Sequence, residues 1–397
     1  MRPVKSERIR GAGRVVVAVS LAFAAHFAAP AAAADDDDLA TVEALGEALF
    51  FDVDLSRNRT QSCASCHNPD HGFVDPLETR AGRAVSLGDD GRSIGDRNAP
   101  TAAYARFSPP FARGDDGRWR GGQFHDGRAA TLEEQAGGPP LNPVEMGMPS
   151  KAAVVERLKE KPRYVAAFAR HFGERALDDA DGAYAAMTRA IAAFERTDRF
   201  APFDSKYDRS LRGEATLTDQ EELGRVLFFS TQFTNCSLCH RLAAAGGAAG
   251  ETFTDHTFHN IGVPENRTLR AVSGAKKGVV DHGLLANPAV GGDRTQDGRF
   301  KVPTLRNVAV TGPYMHNGVF ADLRTVVAFY NHYNSRSPAH RLNPETGRPW
   351  DPPEVAANLS LKELETGPAL DDRRIDALVA FLRTLTDRRY EDRLAPR

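Results

Sequence analysis

Apolar residues recur at intervals of three and four along much of the chain, the period of a helix with one buried face. Residues 39–51, 152–172 and 183–196 each predict a helix on this ground. Thr218-Asp219-Gln220-Glu221 is a capping box, in which the hydroxyl accepts an early helical amide and the carboxylate reaches back, so another helix is predicted to open there. Ile375, Leu378, Val379, Leu382 and Leu385 form one apolar stripe, with Asp371 or Asp372 placed to cap its start. Alternating, strand-like patterns are scarce. Between 200 and 213 charge rises and periodicity fades, which predicts a linker, and 243–250 reads as a flexible loop. The expected fold class is mainly α.

The pattern also repeats. Leu45-Gly46-x-x-Leu49-Phe50-Phe51 returns as Leu223-Gly224-x-x-Leu227-Phe228-Phe229. Ala99-Pro100-Thr101 returns as Val302-Pro303-Thr304, and His125-Asp126-Gly127 with Leu132 returns as His316-Asn317-Gly318 with Leu323. Two homologous halves explain this order economically. Ahead of them, Arg8, Arg10 and Arg14 precede an apolar run at 15–29 and then Ala31-Ala32-Ala33-Ala34, the layout of a secretory signal cleaved near Ala34. The expected division is a signal at 1–34, a first domain at 35–205 and a second at 206–397. No later stretch is long and apolar enough to span a membrane.

The formal charge of −2 becomes −6 once 1–34, with five Lys/Arg and one Glu, is removed. That mild acidity argues against a nucleic-acid partner. All four cysteines fall in two pentapeptides, Cys63-Ala64-Ser65-Cys66-His67 and Cys236-Ser237-Leu238-Cys239-His240. Two thiols one turn apart can add to both vinyl groups of one porphyrin while the adjacent imidazole reaches the iron, so the spacing predicts two covalent c-type haems with His67 and His240 as proximal ligands. Zinc would need four ligands at one point, and a dithiol switch has no use for the histidine. No cysteine is left for a disulfide framework, and an exported chain of this kind fits the periplasm.

Beyond these motifs the sequence resembles the bacterial di-haem cytochrome c peroxidases and their MauG relatives from about Leu39 to Thr386. The resemblance lies in Leu49-Phe50-Phe51, Arg97-Asn98-Ala99-Pro100-Thr101, Phe124-His125-Asp126-Gly127-Arg128-Ala129, Leu132-Glu133-Glu134-Gln135, Asn142-Pro143-Val144-Glu145-Met146-Gly147, Phe258-His259-Asn260-x-Gly262-Val263-Pro264 and Val302-Pro303-Thr304-Leu305-Arg306-Asn307. It implies two cytochrome c-like helical domains, a first haem where peroxide reacts and a second that transfers electrons. Gln135 and Glu145 fall where the family has its distal glutamine and glutamate. A carboxylate in a poorly hydrated pocket can move a proton between the peroxide oxygens, and an amide that cannot titrate can hold peroxide or water in line. Asn98, Thr311 and Pro313 match the family's calcium ligands, a neutral oxygen set that suits this hard cation.

The chain also departs from most family peroxidases, in which a histidine after the first haem blocks the iron until reductive activation. Residues 72–124, including Gly88-Asp89-Asp90-Gly91, contain no histidine, and His71 follows His67 too closely to swing to the opposite face. An open or water-ligated first haem is expected. Fourteen residues beyond His316, on a helix expected to begin near Leu323, stands Tyr330 where those peroxidases have methionine and MauG has tyrosine. A phenolate ligand would lower the second haem's potential, whereas Met315, the competing ligand, would raise it. His125 takes the position of the family's inter-haem tryptophan, and Thr234 that of a tryptophan MauG uses towards its partner.

The resulting expectation is a di-haem peroxidase that reduces hydrogen peroxide through a high-valent iron intermediate, with electrons from a small periplasmic c-type cytochrome or cupredoxin. A MauG-like oxidase acting on a protein or organic substrate is the rival within this chemistry. A non-catalytic di-haem electron carrier is the rival outside it, although such a carrier has no need of Gln135 and Glu145. Many relatives pair up, so a homodimer is left open.

Overall fold

A computed structural model describes residues 39–242 and 250–394. The signal expected at 1–34 and most of the loop expected at 243–250 lie outside the described residues. Helices and short 3-10 turns dominate. Among the described residues strand is confined to the short segment Arg80–Arg83 and two short antiparallel pairs, Ala112–Arg113 with Trp119–Arg120 and Phe258–His259 with Phe300–Lys301. No described helix is long and apolar enough to cross a membrane.

The repeat in sequence is a repeat in packing. Helix Val42–Phe50 crosses Ala180–Glu195 in the first half, and Asp219–Phe229 crosses Asp372–Arg383 in the second. Both crossings are set by a glycine. A Cβ on Gly46 would sit 1.9 Å from the Ala190 carbonyl oxygen, and one on Gly224 would sit 1.9 Å from that of Ala377. Only a residue without a side chain lets the backbones approach so closely. Around these crossings gather two apolar clusters. One contains Leu45, Leu49, Phe50, Met187, Ile191 and Phe194, and the other Leu227, Phe228, Ile375, Leu378 and Phe381.

Helix boundaries follow local chemistry. Thr41 and Asp179 cap the two helices of the first crossing, and Thr218 with Glu221 and then Asp371 cap those of the second, each side chain accepting a backbone amide left unpaired in the first turn. The single helix expected at 152–172 is two, Lys151–Lys159 and Pro162–Phe172. Pro162 lacks the N–H an unbroken helix would need and restricts Lys161 to extended backbone, so it opens a new helix instead.

The linker expected at 200–213 is a packed junction. Phe200, Ala201 and Tyr207 are buried, and Asp208 is fully enclosed on helix Lys206–Leu211. Arg306, also fully buried, donates to both Asp208 oxygens at 2.5 and 2.9 Å. The charge that made this stretch look solvent-facing is neutralised internally, which is how a buried ion pair is tolerated. Arg306 also lies over the rings of Phe203, Phe253 and Tyr104 at 4.9, 5.3 and 5.4 Å, tying the halves together.

Candidate haem sites and their surroundings

The two attachment motifs are built alike. Cys63–Cys66 is one turn of helix, and the His67 amide donates back to the Cys63 carbonyl at 2.9 Å; His240 does the same to Cys236 at 3.0 Å. Six residues after His67, the carbonyl of Phe73 accepts from Nδ1 at 3.2 Å, and thirteen after His240 the carbonyl of Phe253 accepts from Nδ1 at 2.8 Å. Both phenylalanines are fully buried with left-handed backbone, φ 57° and 56°, a conformation a bulky residue keeps only where its surroundings hold it. The Pro100 and Pro303 carbonyls face the same two rings. With Nδ1 engaged, Nε2 is the atom each ring offers to a metal.

Sequence reasoning missed this device. Its trace is a short repeat, Phe73-Val74-Asp75 and Phe253-Thr254-Asp255. Burial, and then the Asp75 and Asp255 carboxylates, push the Cys66 and Cys239 thiols up to about 12. The residues fit covalent haem: four unpaired cysteines, no disulfide, and two histidines fixed through the nitrogen that would not bind iron.

Glu145 belongs to the first motif. Its carboxylate acts electrostatically on both Cys63 and Cys66, and burial raises its own pKa against the opposing pull of Arg128. The segment is held by the histidine-free loop: the Asp89 amide donates to the Glu145 carbonyl at 2.7 Å, and Gly88 lies so close to Val144 that a Cβ would come within 2.7 Å of its carbonyl oxygen. Ser56 and Thr60 in turn anchor the Asp89 carboxylate. Gln135 is part-buried on helix Leu132–Ala136, which packs against Ala180–Glu195. Glu195, not anticipated from sequence, is buried on that helix near Cys63, with Oε2 unpartnered and its pKa raised by burial to about 8.

Tyr330 faces the second motif. It lies on helix Leu323–Asn331, has no hydrogen bond among the described residues, and is driven well above the usual tyrosine range by burial and the facing Cys239 and Cys236. Met315 has left-handed backbone, φ 73°, and no described contact ties it to Cys236, Cys239 or His240.

Between the halves lies a polar knot. Arg97 donates to both oxygens of Asp281 at 2.7 Å and to Asp126 at 2.6 Å. His125 Nε2 meets the Asn98 carbonyl at 2.9 Å, and the Asn98 amide donates to the His316 carbonyl at 2.7 Å. His316 stacks on Phe300 at 3.6 Å, and its buried Nε2 lacks a partner, 4.0 Å from Asp281. A cavity of about 10 Å³ beside it has room for one water. Burial lowers His125 to about 4 and His316 to about 3, so both rings are neutral at pH 7. Of the expected calcium ligands, Asn98 donates through Nδ2 to Ala84, leaving Oδ1 available, and Thr311 packs against Gly72. Pro313 follows a cis peptide bond.

Residues 40–216 match the family described as di-haem cytochrome c peroxidase. The chain is 58% identical over 356 residues to the methylamine utilization protein MauG of Paracoccus denitrificans, covering 90% of each chain. It belongs to the di-haem cytochrome c peroxidase family. The diheme peroxidase BthA of Burkholderia thailandensis superposes with a TM-score of 0.74 at 35% identity, over 88% of this chain and 86% of that one. A MauG-like protein associated with microbial copper homeostasis gives 0.63 at 31% identity, over 87% and 89%. Like these relatives, the chain is an oxidoreductase of mainly α fold with two cytochrome c-like domains and two c-type haems.

Proposed function

We propose that this protein consumes hydrogen peroxide at the haem attached through Cys63 and Cys66, and feeds that site with electrons through the haem attached through Cys236 and Cys239. One observation carries the reading: a half-buried carboxyl, Glu145, with its pKa raised by desolvation, set against the first attachment motif by a loop that contains no histidine. When bound, haem iron supplies the one-electron chemistry and the cleavage of the O–O bond. The chain supplies the rest. Glu145 in its ionised form takes the proton from the inner oxygen of peroxide and returns it to the outer one, and its partial burial limits competing water. Gln135 orients peroxide or its water without exchanging protons. His67 and His240 hold their rings through the Phe73 and Phe253 carbonyls.

For the source of electrons, Tyr330 beside the second motif and the 58% identity favour a MauG-type oxidase drawing on a protein or organic substrate over a small donor protein. The relative's name points to methylamine utilization as the setting. Thr234 in the position of MauG's tryptophan argues for a different contact with that substrate. The proposal includes a periplasmic address after removal of 1–34, domains at 35–205 and 206–397, and calcium held by Asn98 with the main chain of Thr311 and Pro313.

The test is to mix the ferric protein with one equivalent of peroxide and follow haem absorbance and peroxide loss. Reaction without prior reduction supports the open first site. No reaction, even after half-reduction, would leave the electron-carrier reading in its place.

A further inference from the structure

The polar knot between the halves does not end at Asp126. That buried carboxylate, already held by Arg97 at 2.6 Å, also takes Arg128, whose Nη1 donates to its two oxygens at 3.0 and 3.1 Å. Charge alternates along the series, negative at Asp281, positive at Arg97, negative at Asp126 and positive at Arg128. The positive end faces Glu145.

Arg128 is fixed by stacking as well as by charge. Its guanidinium lies over the Phe124 ring at 3.7 Å, and the tip of that ring rests against Gly138, where a Cβ would come within 3.5 Å of it. Gly138 belongs to the turn that joins Gln135 to Glu145. Its amide donates to the Gln135 carbonyl at 2.9 Å, and the Glu145 and Met146 amides donate to the Asn142 and Pro139 carbonyls at 3.1 and 3.3 Å. The far end of the knot therefore packs on the segment that carries both candidate peroxide residues.

The half-buried Glu145 carboxyl is faced by Arg128, by the Asn142 side chain, which donates to it, and by the exposed Asp96, a like charge. Cys63 and Cys66 are also near, but haem attachment converts them to uncharged thioethers. A guanidinium stays positive across the whole working pH range. An opposite charge favours the ionised form of a carboxyl, and a like charge favours the neutral form.

We propose that Arg128 is a positioning residue of the peroxide reaction, aligned by Asp126 and Phe124 so that its permanent charge keeps Glu145 ionised and available as a base. This role rests on the peroxide reading, in which Glu145 is that base. It also gives the knot a use beyond joining the halves, since Asp281 of the second half is linked to the base of the first site through Arg97, Asp126 and Arg128.

The experiment uses the full haem-loaded protein. The infrared carbonyl band of protonated Glu145, identified as the band that Glu145→Gln removes, is followed against pH, and the rate of the peroxide reaction is measured by stopped flow over the same range. Arg128→Leu should move both midpoints up by about one pH unit, the low end for a neighbouring opposite charge because its side chain is 42% exposed and partly screened. Arg128→Lys keeps the charge and should restore most of the wild-type midpoint. Asp96→Asn, at an exposed position, should move the midpoint down, and it keeps the test standing if Arg128→Leu fails to fold. Shifts of opposite sign from removing opposite charges are not what a packing defect produces. A Glu145 band that titrates in Arg128→Leu as in the wild type overturns the proposal, and a changed resting spectrum of the first haem in that variant would then place Arg128 with the haem's own carboxylates. So does an Arg128→Lys variant that titrates like Arg128→Leu, or an upward shift in Asp96→Asn. A rate that responds to Glu145→Gln but not to Arg128 overturns this role alone; a rate indifferent to Glu145→Gln removes the base assignment and this role with it.

Discussion

Arg306 offers the sharpest test of how the halves are joined. Replacing it with methionine removes both bonds to Asp208 and the Nε donation to the Glu251 carbonyl at 2.6 Å. Asp208 keeps the Ser205 hydroxyl at 2.6 Å and the Ser205 amide at 3.0 Å, but its charge is left enclosed without a counter-ion. Breaking one side of such a pair costs about 3–5 kcal/mol. Where each kcal/mol lowers Tm by about 2–4 °C, the melting point of the haem-loaded protein should fall by roughly 6–20 °C. Denaturant unfolding of Arg306→Met, Asp208→Leu and the double variant measures the term directly. Apolar replacement of both partners is close to neutral, so the double variant should recover most of the loss. Because Glu251 precedes the Phe253 that orients His240, the single variant should also disturb the second haem's spectrum and leave the first unchanged. A cost below about 1 kcal/mol, or equal disturbance of both haems, would refute this reasoning.

Other outcomes follow from the same geometry. Glu145→Gln should slow the peroxide reaction by about 10²–10⁴-fold while both haems stay attached, as shown by stopped-flow and a haem count. A base must be ionised to act, and burial raises Glu145, so the wild-type rate should fall as pH drops through a midpoint above the ordinary glutamate value of 4.5; the Gln variant should lack that limb. Tyr330→Phe should raise the second haem's reduction potential in a redox titration, with the first unaltered. Gly46→Ala and Gly224→Ala each force a Cβ to 1.9 Å from a carbonyl oxygen and should each cost at least about 1–3 kcal/mol, read by denaturant unfolding.

What could be read from sequence was whatever is local or repeated. Cys-x-x-Cys-His needs only five residues, and the twin Leu-Gly-x-x-Leu-Phe-Phe stretches fall on the two glycine crossings. The break at Pro162 was also in plain view, but the apolar period on either side concealed it. Other features depend on partners far apart in the chain. Arg97 and Asp281 are separated by 184 positions, and the enclosed charge of Asp208 makes sense only with Arg306. The Phe-x-Asp repeat escaped notice because it lies at different distances after the two histidines, while the carbonyls that do the work are backbone atoms with no sequence signature.

A clasp formed by residues 387–390 has a consequence for how the protein is assembled. Asp387 accepts from the Tyr104 hydroxyl at 2.5 Å and from Asn307 at 2.8 Å, and the Tyr390 hydroxyl donates to the Pro69 carbonyl at 2.5 Å, two residues beyond His67. The surroundings of the first haem are thus completed by some of the last described residues to leave the ribosome. These contacts close only after both halves have been synthesised, and a protease nick near 387 should register in the spectrum of the haem attached more than three hundred positions upstream.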